Sequence, residues 1–311
     1  MAMAWSSPAD SHLTSILNKE NKTMQSIWNH LQGVEFKQSY YNAGGVMTRA
    51  IEAGEGPVLI FLHGTGGHAE AYLKNIAAHA KHFHVYSIDM VGHGYSDAPD
   101  IDYDMQCYVD FMLDFLDAIG ADKAHISGES LGATVASWFA LAHPDRVGKI
   151  VMNTGMMLPP DEEGAKELQE LLERSRKAAG TPDREMIRQR ISWLMHDDND
   201  VTDEIVEVRY QIYQQPGRAV VLRTIAEQSI GALLDPVEQE KWYHPDLLRK
   251  LPCPTLILWT RFNPGQLVHL AEEAAGLIPD NELVILENSA HWPQWEEAEE
   301  FNRVHIEYLL K

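Results

Sequence analysis

Cysteine is nearly absent from this chain: Cys107 and Cys253 are the only two in 311 residues. Two cysteines make no disulfide framework, and neither lies in a C-x-x-C or metal-ligand spacing, so a reduced, cytoplasmic setting is expected. Basic residues are also scarce. The 25 Lys and Arg face 46 Asp and Glu, for a formal charge of −21, which disfavours phosphate backbones and anionic lipid surfaces and makes nucleic acid an unexpected partner. Long hydrophobic runs are missing too: no segment approaches the roughly 18 uninterrupted apolar residues of a membrane span. The first twenty residues lack the basic start and apolar run of a secretory signal. What is present, 45% hydrophobic and 23% charged residues, is the composition of an ordinary globular protein. Its length suits one catalytic domain carrying an insertion.

The opening stretch to about Gln38 is polar with scattered apolar residues and reads as a loose tail, with a short helix around Thr23–Leu31. From Tyr40 onward, short apolar runs alternate with longer helical patterns, as in strands feeding crossover helices of a mostly parallel sheet. The expected strands are Val58–His63, His84–Asp89, His125–Ser127, Lys149–Asn153, Thr255–Trp259 and Glu282–Leu286. Met105–Ala118, Leu131–Ala142 and Gln294–Leu310 carry apolar residues at three- and four-residue spacing and read as helices. After Pro159-Pro160 no convincing strand occurs until about His244. That stretch holds helix starts at Asp161-Glu162-Glu163, Thr181-Pro182 and Thr202-Asp203-Glu204, and a stop at Gly180. A helical insertion there would lie over the C-terminal edge of the sheet, where open α/β folds bind ligands, and is expected to be a lid.

The chemistry concentrates at Gly128-Glu129-Ser130-Leu131-Gly132, between a strand and a helix. In that context G-x-S-x-G is a nucleophile elbow, whose glycines permit a turn that lifts the serine hydroxyl above the sheet. A serine hydroxyl needs a general base. His291, after the last strand and before the last helix, is at the right sheet edge and last in chain order. Acyl chemistry also needs donors for the developing oxyanion; the glycine-rich loop His63-Gly64-Thr65-Gly66-Gly67 offers the N–H of Thr65, and the residue after the nucleophile offers that of Leu131. The loop has no Lys-Ser/Thr ending and no G-x-G-x-x-G, so a nucleotide is not its expected ligand. His79, His82 and His84 lack a carboxylate or cysteine at ligand spacing, and no metal is expected. Asp89 to Asp97 reads as a structural turn.

With these pieces in place, residues 40–311 resemble the α/β-hydrolase superfamily, and more narrowly the meta-cleavage-product hydrolases of aromatic catabolism. The narrower likeness rests on His291-Trp292-Pro293-Gln294-Trp295-Glu296 with Glu300-Phe301-Asn302-Arg303, and on Val201 to Tyr210, which is similar to a family segment whose arginine binds the substrate carboxylate. The resemblance implies hydrolysis of a carbon–carbon bond in a vinylogous 1,5-diketone, without metal or organic cofactor. It assigns the carboxylate to Arg209 and puts Trp292, Gly64 and Gly66 in the substrate-binding set. The chain departs from the family at three places. Glu70-Ala71 and Glu129 stand near where the family has asparagines, and Asn263 stands where the triad aspartate is expected. An amide donates to a substrate carbonyl and an ionised carboxylate does not, so Glu70 and Glu129 would alter the enone end of the site.

The expected architecture is an α/β-hydrolase fold: a mostly parallel sheet flanked by helices, with a helical lid inserted after the sixth strand. The divisions are an N-terminal extension (1–39), a core (40–158 and 246–311) and a lid (159–245). The expected function is a serine-dependent carbon–carbon bond hydrolase using Ser130 and His291, with Asn263 at the acid position. A carboxylesterase, lactonase or amide hydrolase is the alternative on one scaffold, and a catalytically weakened ligand-binding homologue is the alternative of another class. The partner is a small molecule, and self-association is left open because the family often forms homo-oligomers.

Overall fold

The computed structural model describes residues 26–311. Eight strands form one sheet: β1 (Phe36–Ala43), β2 (Val46–Ala53), β3 (Val58–Leu62), β4 (His84–Ile88), β5 (Ala124–Glu129), β6 (Val147–Asn153), β7 (Thr255–Thr260) and β8 (Asn281–Leu286). Their spatial order is β1-β2-β4-β3-β5-β6-β7-β8. The first two pairings are antiparallel and all others parallel. The parallel centre is covered on both faces, so β3 and β7 read as continuous apolar runs.

The hairpin of β1 and β2 was not expected from the sequence, and β1 begins before residue 40. As an edge strand it is largely exposed and offers no apolar run. Its turn is nonetheless written locally. Gly44 and Gly45 both take positive φ, and Asn42 Oδ1 accepts from Gly45 N at 2.7 Å, the chemistry of a tight two-residue hairpin. Of the helix expected at Thr23–Leu31, the first three residues lie outside the described part; Ile27–Leu31 form a 3-10 turn capped by Ser26.

On the sheet lie α1 (Leu73–His79), α2 (Met105–Ala118) and α3 (Leu131–Ala142). Between β6 and β7 the described residues form only helices: α4 (Glu162–Gly180), α5 (Arg184–Ser192), α6 (Asp203–Tyr213), α7 (Arg218–Leu234), α8 (Pro236–Trp242) and α9 (Pro245–Leu248), besides a 3-10 turn at Asp198–Asp200. Asp161 and Thr202 cap α4 and α6 through their side chains. The start assigned to Thr181-Pro182 shifts: Asp183 caps α5 by accepting from Met186 N. α4 packs along α7 and against α5, and α5 against α6.

α10 (Val268–Leu277) joins β7 to β8, and the final segment is α11 (Pro293–Glu296) and α12 (Ala298–Leu310). One continuous helix from Gln294 does not form. Glu297 leaves helical geometry, and its carboxylate accepts from Asn288 N at 3.0 Å and Ser289 Oγ at 2.6 Å. The break anchors the loop that carries His291. No helix among the described residues is long and apolar enough to cross a membrane.

Candidate active site

The C-terminal ends of β3, β5, β6, β7 and β8 deliver Gly64, Ser130, Thr154, Asn263 and His291 to one edge of the sheet. Ser130 has φ 55° and ψ −116°, a strained conformation for a residue with a side chain. The flanking glycines make that turn possible: a Cβ at Gly128 would fall on the backbone of Gly132, and one at Gly132 on the carbonyl of Leu62. Thr154 is the other non-glycine residue with positive φ among those described. Its hydroxyl donates to the His291 carbonyl at 2.9 Å.

His291 sits between two side chains. Its Nδ1 is 2.6 Å from Asn263 Oδ1, while Asn263 Nδ2 donates to the Gln266 carbonyl at 2.7 Å. Because a carbonyl only accepts, that second bond fixes the amide, and Nδ1 of the ring carries the proton. Nε2 lies 3.1 Å from Glu129 Oε1, within ion-pair distance. Glu129 Oε2 also accepts from Gly64 N at 2.5 Å. The Glu129 carboxylate and Ser130 Cβ close on the same point above Gly64, so Ser130 stands beside the group that meets Nε2. Asn263 therefore orients the ring, and the negative charge stands on the opposite side, next to the serine. The His291 loop is tied further by Glu296, which accepts from Ala290 N at 3.0 Å, and by His291 N donating to the Leu194 carbonyl at 2.9 Å.

A narrow cavity of about 50 Å³ opens above these groups. Gly64, Thr65, Glu129, Ser130, Leu131, Arg209, His291 and Trp292 all line it. The N–H groups of Thr65 and Leu131 donate to no protein group among the described residues, whereas that of Gly64 is taken by Glu129. The Thr65 hydroxyl is 2.9 Å from Ser229 Oγ on α7, linking the glycine loop to the inserted helices. Arg209, 2% exposed, lies over the Trp292 ring at 5.2 Å, and its Nε has no hydrogen-bond partner. Burial holds its pKa below the usual arginine value.

Two expected contacts are not in the cavity. Glu70 is buried elsewhere, paired with Arg49 at 2.5 Å and with His68 at 2.9 Å, while Arg49 also reaches Asp89 at 3.0 Å. A buried guanidinium needs counter-charge, and Glu70 supplies it under β2; burial pushes its carboxyl up, but the contacts from His68 and the Arg49 guanidinium outweigh this and hold it below the usual range. Gly66 is a turn residue with φ 71°, where a Cβ would crowd Tyr213 Oη. Asp89, with three bonds to Arg49, Ala69 and Tyr95, is structural. Two of the three histidines considered for metal have other partners: His79 Nε2 meets His305 Nδ1 at 2.9 Å, and His84 Nε2 meets Glu52 at 2.9 Å.

Sequence reasoning missed Arg190, which lines the cavity from α5 and is 5% exposed. A signal existed. Ile187, Arg190, Ile191 and Leu194 share one helical stripe, as do Ile205, Arg209 and Ile212, so both arginines were written onto buried faces.

A family model described as the alpha/beta hydrolase fold matches residues 57–298. The chain belongs to that family. Among curated relatives, this α/β-hydrolase is 30% identical over 270 residues to a 2-hydroxy-6-oxo-6-phenylhexa-2,4-dienoate hydrolase of Burkholderia cepacia, covering 83% of this chain and 89% of the relative. It is 27% identical to a 2-hydroxy-6-oxo-6-(2'-aminophenyl)hexa-2,4-dienoic acid hydrolase of Metapseudomonas resinovorans, covering 89% and 92%. Among solved structures, a meta-cleavage product hydrolase from Pseudomonas fluorescens matches with TM-score 0.72 and 28% identity, over 87% of this chain and 97% of that one. The main functional expectation agrees with these relatives, and they do not favour the esterase or binding-protein alternatives.

Proposed function

We propose that this α/β-hydrolase cleaves a carbon–carbon bond in a carboxylate-bearing 2-hydroxy-6-oxo-dienoate, the product class of ring-opening dioxygenases. The observation that carries the reading is Arg209: a guanidinium with no ion-pair partner among the described residues, buried against Trp292 in the cavity that holds Ser130 and His291. Such a charge calls for an anionic ligand. The helices over the sheet edge, 159–245, act as the lid.

The substrate carboxylate is oriented by Arg209. The dienol first becomes the ketone, losing the proton of its C2 hydroxyl and gaining one at C5. Nε2 of His291 then takes the Ser130 proton, and the serine oxygen adds to the C6 carbonyl. The oxyanion is held by the N–H groups of Thr65 and Leu131. The bond between C5 and C6 breaks, its electron pair running through the dienoate half to the C2 oxygen, which takes the proton back from the imidazolium. Water finally displaces the serine, giving a carboxylic acid and a 2-hydroxydienoate, so the balance is addition of one water. Asn263 steers the imidazole, and Glu129 is the charge that stabilises its protonated form.

The test is bleaching of a yellow phenyl-substituted ring-fission product. Wild type should bleach it, and Ser130→Ala should keep the fold and bind the chromophore while losing at least a hundredfold in rate. A wild-type protein that leaves the colour unchanged but turns over p-nitrophenyl esters would replace this reading with an esterase.

A further inference from the structure

Arg190 has no place in the reaction just described, yet it is built into the same cavity. Its Nε donates to Ser175 Oγ at 2.9 Å, its Nη1 is buried without a hydrogen-bond partner, and it forms no ion pair among the described residues. Serine is a weak counterpart for a guanidinium. An arginine stays charged at neutral pH, and a charge removed from water without a partner is costly. The two arginines are neighbours, carried on helices that pack together. Among fixed charges Arg209 acts most strongly on Arg190, and with burial it brings the Arg190 pKa down to about 10. Two like charges held side by side and short of partners describe a site for an anion.

The charge balance limits which anion. The charged side chains of the lining are the guanidinium groups of Arg190 and Arg209 and the carboxylate of Glu129, which is engaged with His291. Two guanidinium groups against one carboxylate leave room for a single further carboxylate. A dicarboxylate dienoate carries its acids at opposite ends, with the scissile bond between them. Adjacent arginines serve one end only. The rest of the lining is uncharged, with Leu168, Leu171 and Ile230 beside the polar Thr134, Ser229 and Gln266.

We infer that Arg190 is a second specificity-determining residue, which together with Arg209 grips one carboxylate, so that the cavity selects monocarboxylate substrates with an uncharged far end. The inference rests on the reading of the cavity as a dienoate site.

The test uses the full chain and three readouts. The first is calorimetric binding of 2-oxopentanoate and of its methyl ester. Arg190→Met should weaken the acid at least tenfold and leave the ester unchanged, and Arg190→Lys should recover part of the loss. The second is thermal stability without ligand. Relieving a buried charge should leave the melting temperature of Arg190→Met equal or higher, whereas a merely structural arginine would lower it. The third is turnover of monocarboxylate and dicarboxylate ring-fission products, in which Arg190→Met should raise KM for the former more than it lowers kcat, and wild type should prefer it at least tenfold. Equal loss of acid and ester binding, or wild-type indifference between the two substrates, overturns the inference. Arg190-dependent binding of 2-oxopentanoate by a protein that bleaches no ring-fission product would instead retain the anion grip and defeat the proposed reaction.

Discussion

Asn263→Asp puts a charge behind the imidazole where the structure has an amide. Oδ1 can keep its 2.6 Å bond to Nδ1, and the new carboxylate faces the positive ring at about 4 Å between charge centres, worth at most about 4 kcal/mol at an effective dielectric of about 20. Serine proteases that lose this carboxylate to an amide slow by about ten-thousandfold. One feature of this site reduces the rate gain, and another costs stability. Glu129 already stands 3.1 Å from Nε2 and supplies part of the counter-charge. The second aspartate oxygen would also replace the Nδ2 that donates to the Gln266 carbonyl at 2.7 Å, setting acceptor against acceptor. That cost, about 1–3 kcal/mol, falls on ground and transition states alike and appears as lost stability. The rate gain then shrinks to about 1–2 kcal/mol, or roughly tenfold at neutral pH. Turnover of a chromophoric dienoate at neutral pH, with a melting curve beside it, checks both parts. A folded variant no faster than the parent would refute the idea that missing charge behind His291 limits the rate.

Arg209→Lys should raise KM for a dienoate roughly tenfold or more while sparing a neutral ester, because an ammonium does not reproduce the guanidinium fork; equal loss on both substrates would mark Arg209 as structural. Glu70→Gln should destabilise the fold by about 3–5 kcal/mol, since Arg49 would be left under-compensated in the core. For a chain this size that lowers the melting temperature by about 5–8 °C, with no direct effect on substrate binding. Burial pulls His63 and His79 down to about 4. Between pH 6.5 and 4 the unfolded chain binds protons that these folded rings refuse, so stability is lost as pH falls, at about 1.4 kcal/mol per pH unit for each ring. Denaturant titrations across that window should show the slope, and flat stability would mean that these rings protonate without unfolding.

Local sequence determined the turn that presents Ser130, because its constraints are local. The glycines around Ser130 are required by backbone contacts within one turn, and strand, elbow and helix follow one another along the chain. His291 was legible for a similar reason: it falls between the last strand and the last helix, and in a parallel sheet that places it at the same edge as the elbow. The exposed β1 was not legible as a strand, because edge pairing needs no apolar run. The destinations of charged side chains were decided only by the tertiary structure. Glu70 and Glu129 are both acids near glycine-rich turns, yet one neutralises Arg49 beneath β2 and the other meets His291 Nε2, since folding brings a different partner to each. Asn263 shows as a lost charge in the sequence. That the lost charge reappears across the ring, and that Arg190 joins Arg209 in one cavity, depends on segments far apart in the chain being packed together, and no spacing along the chain encodes it.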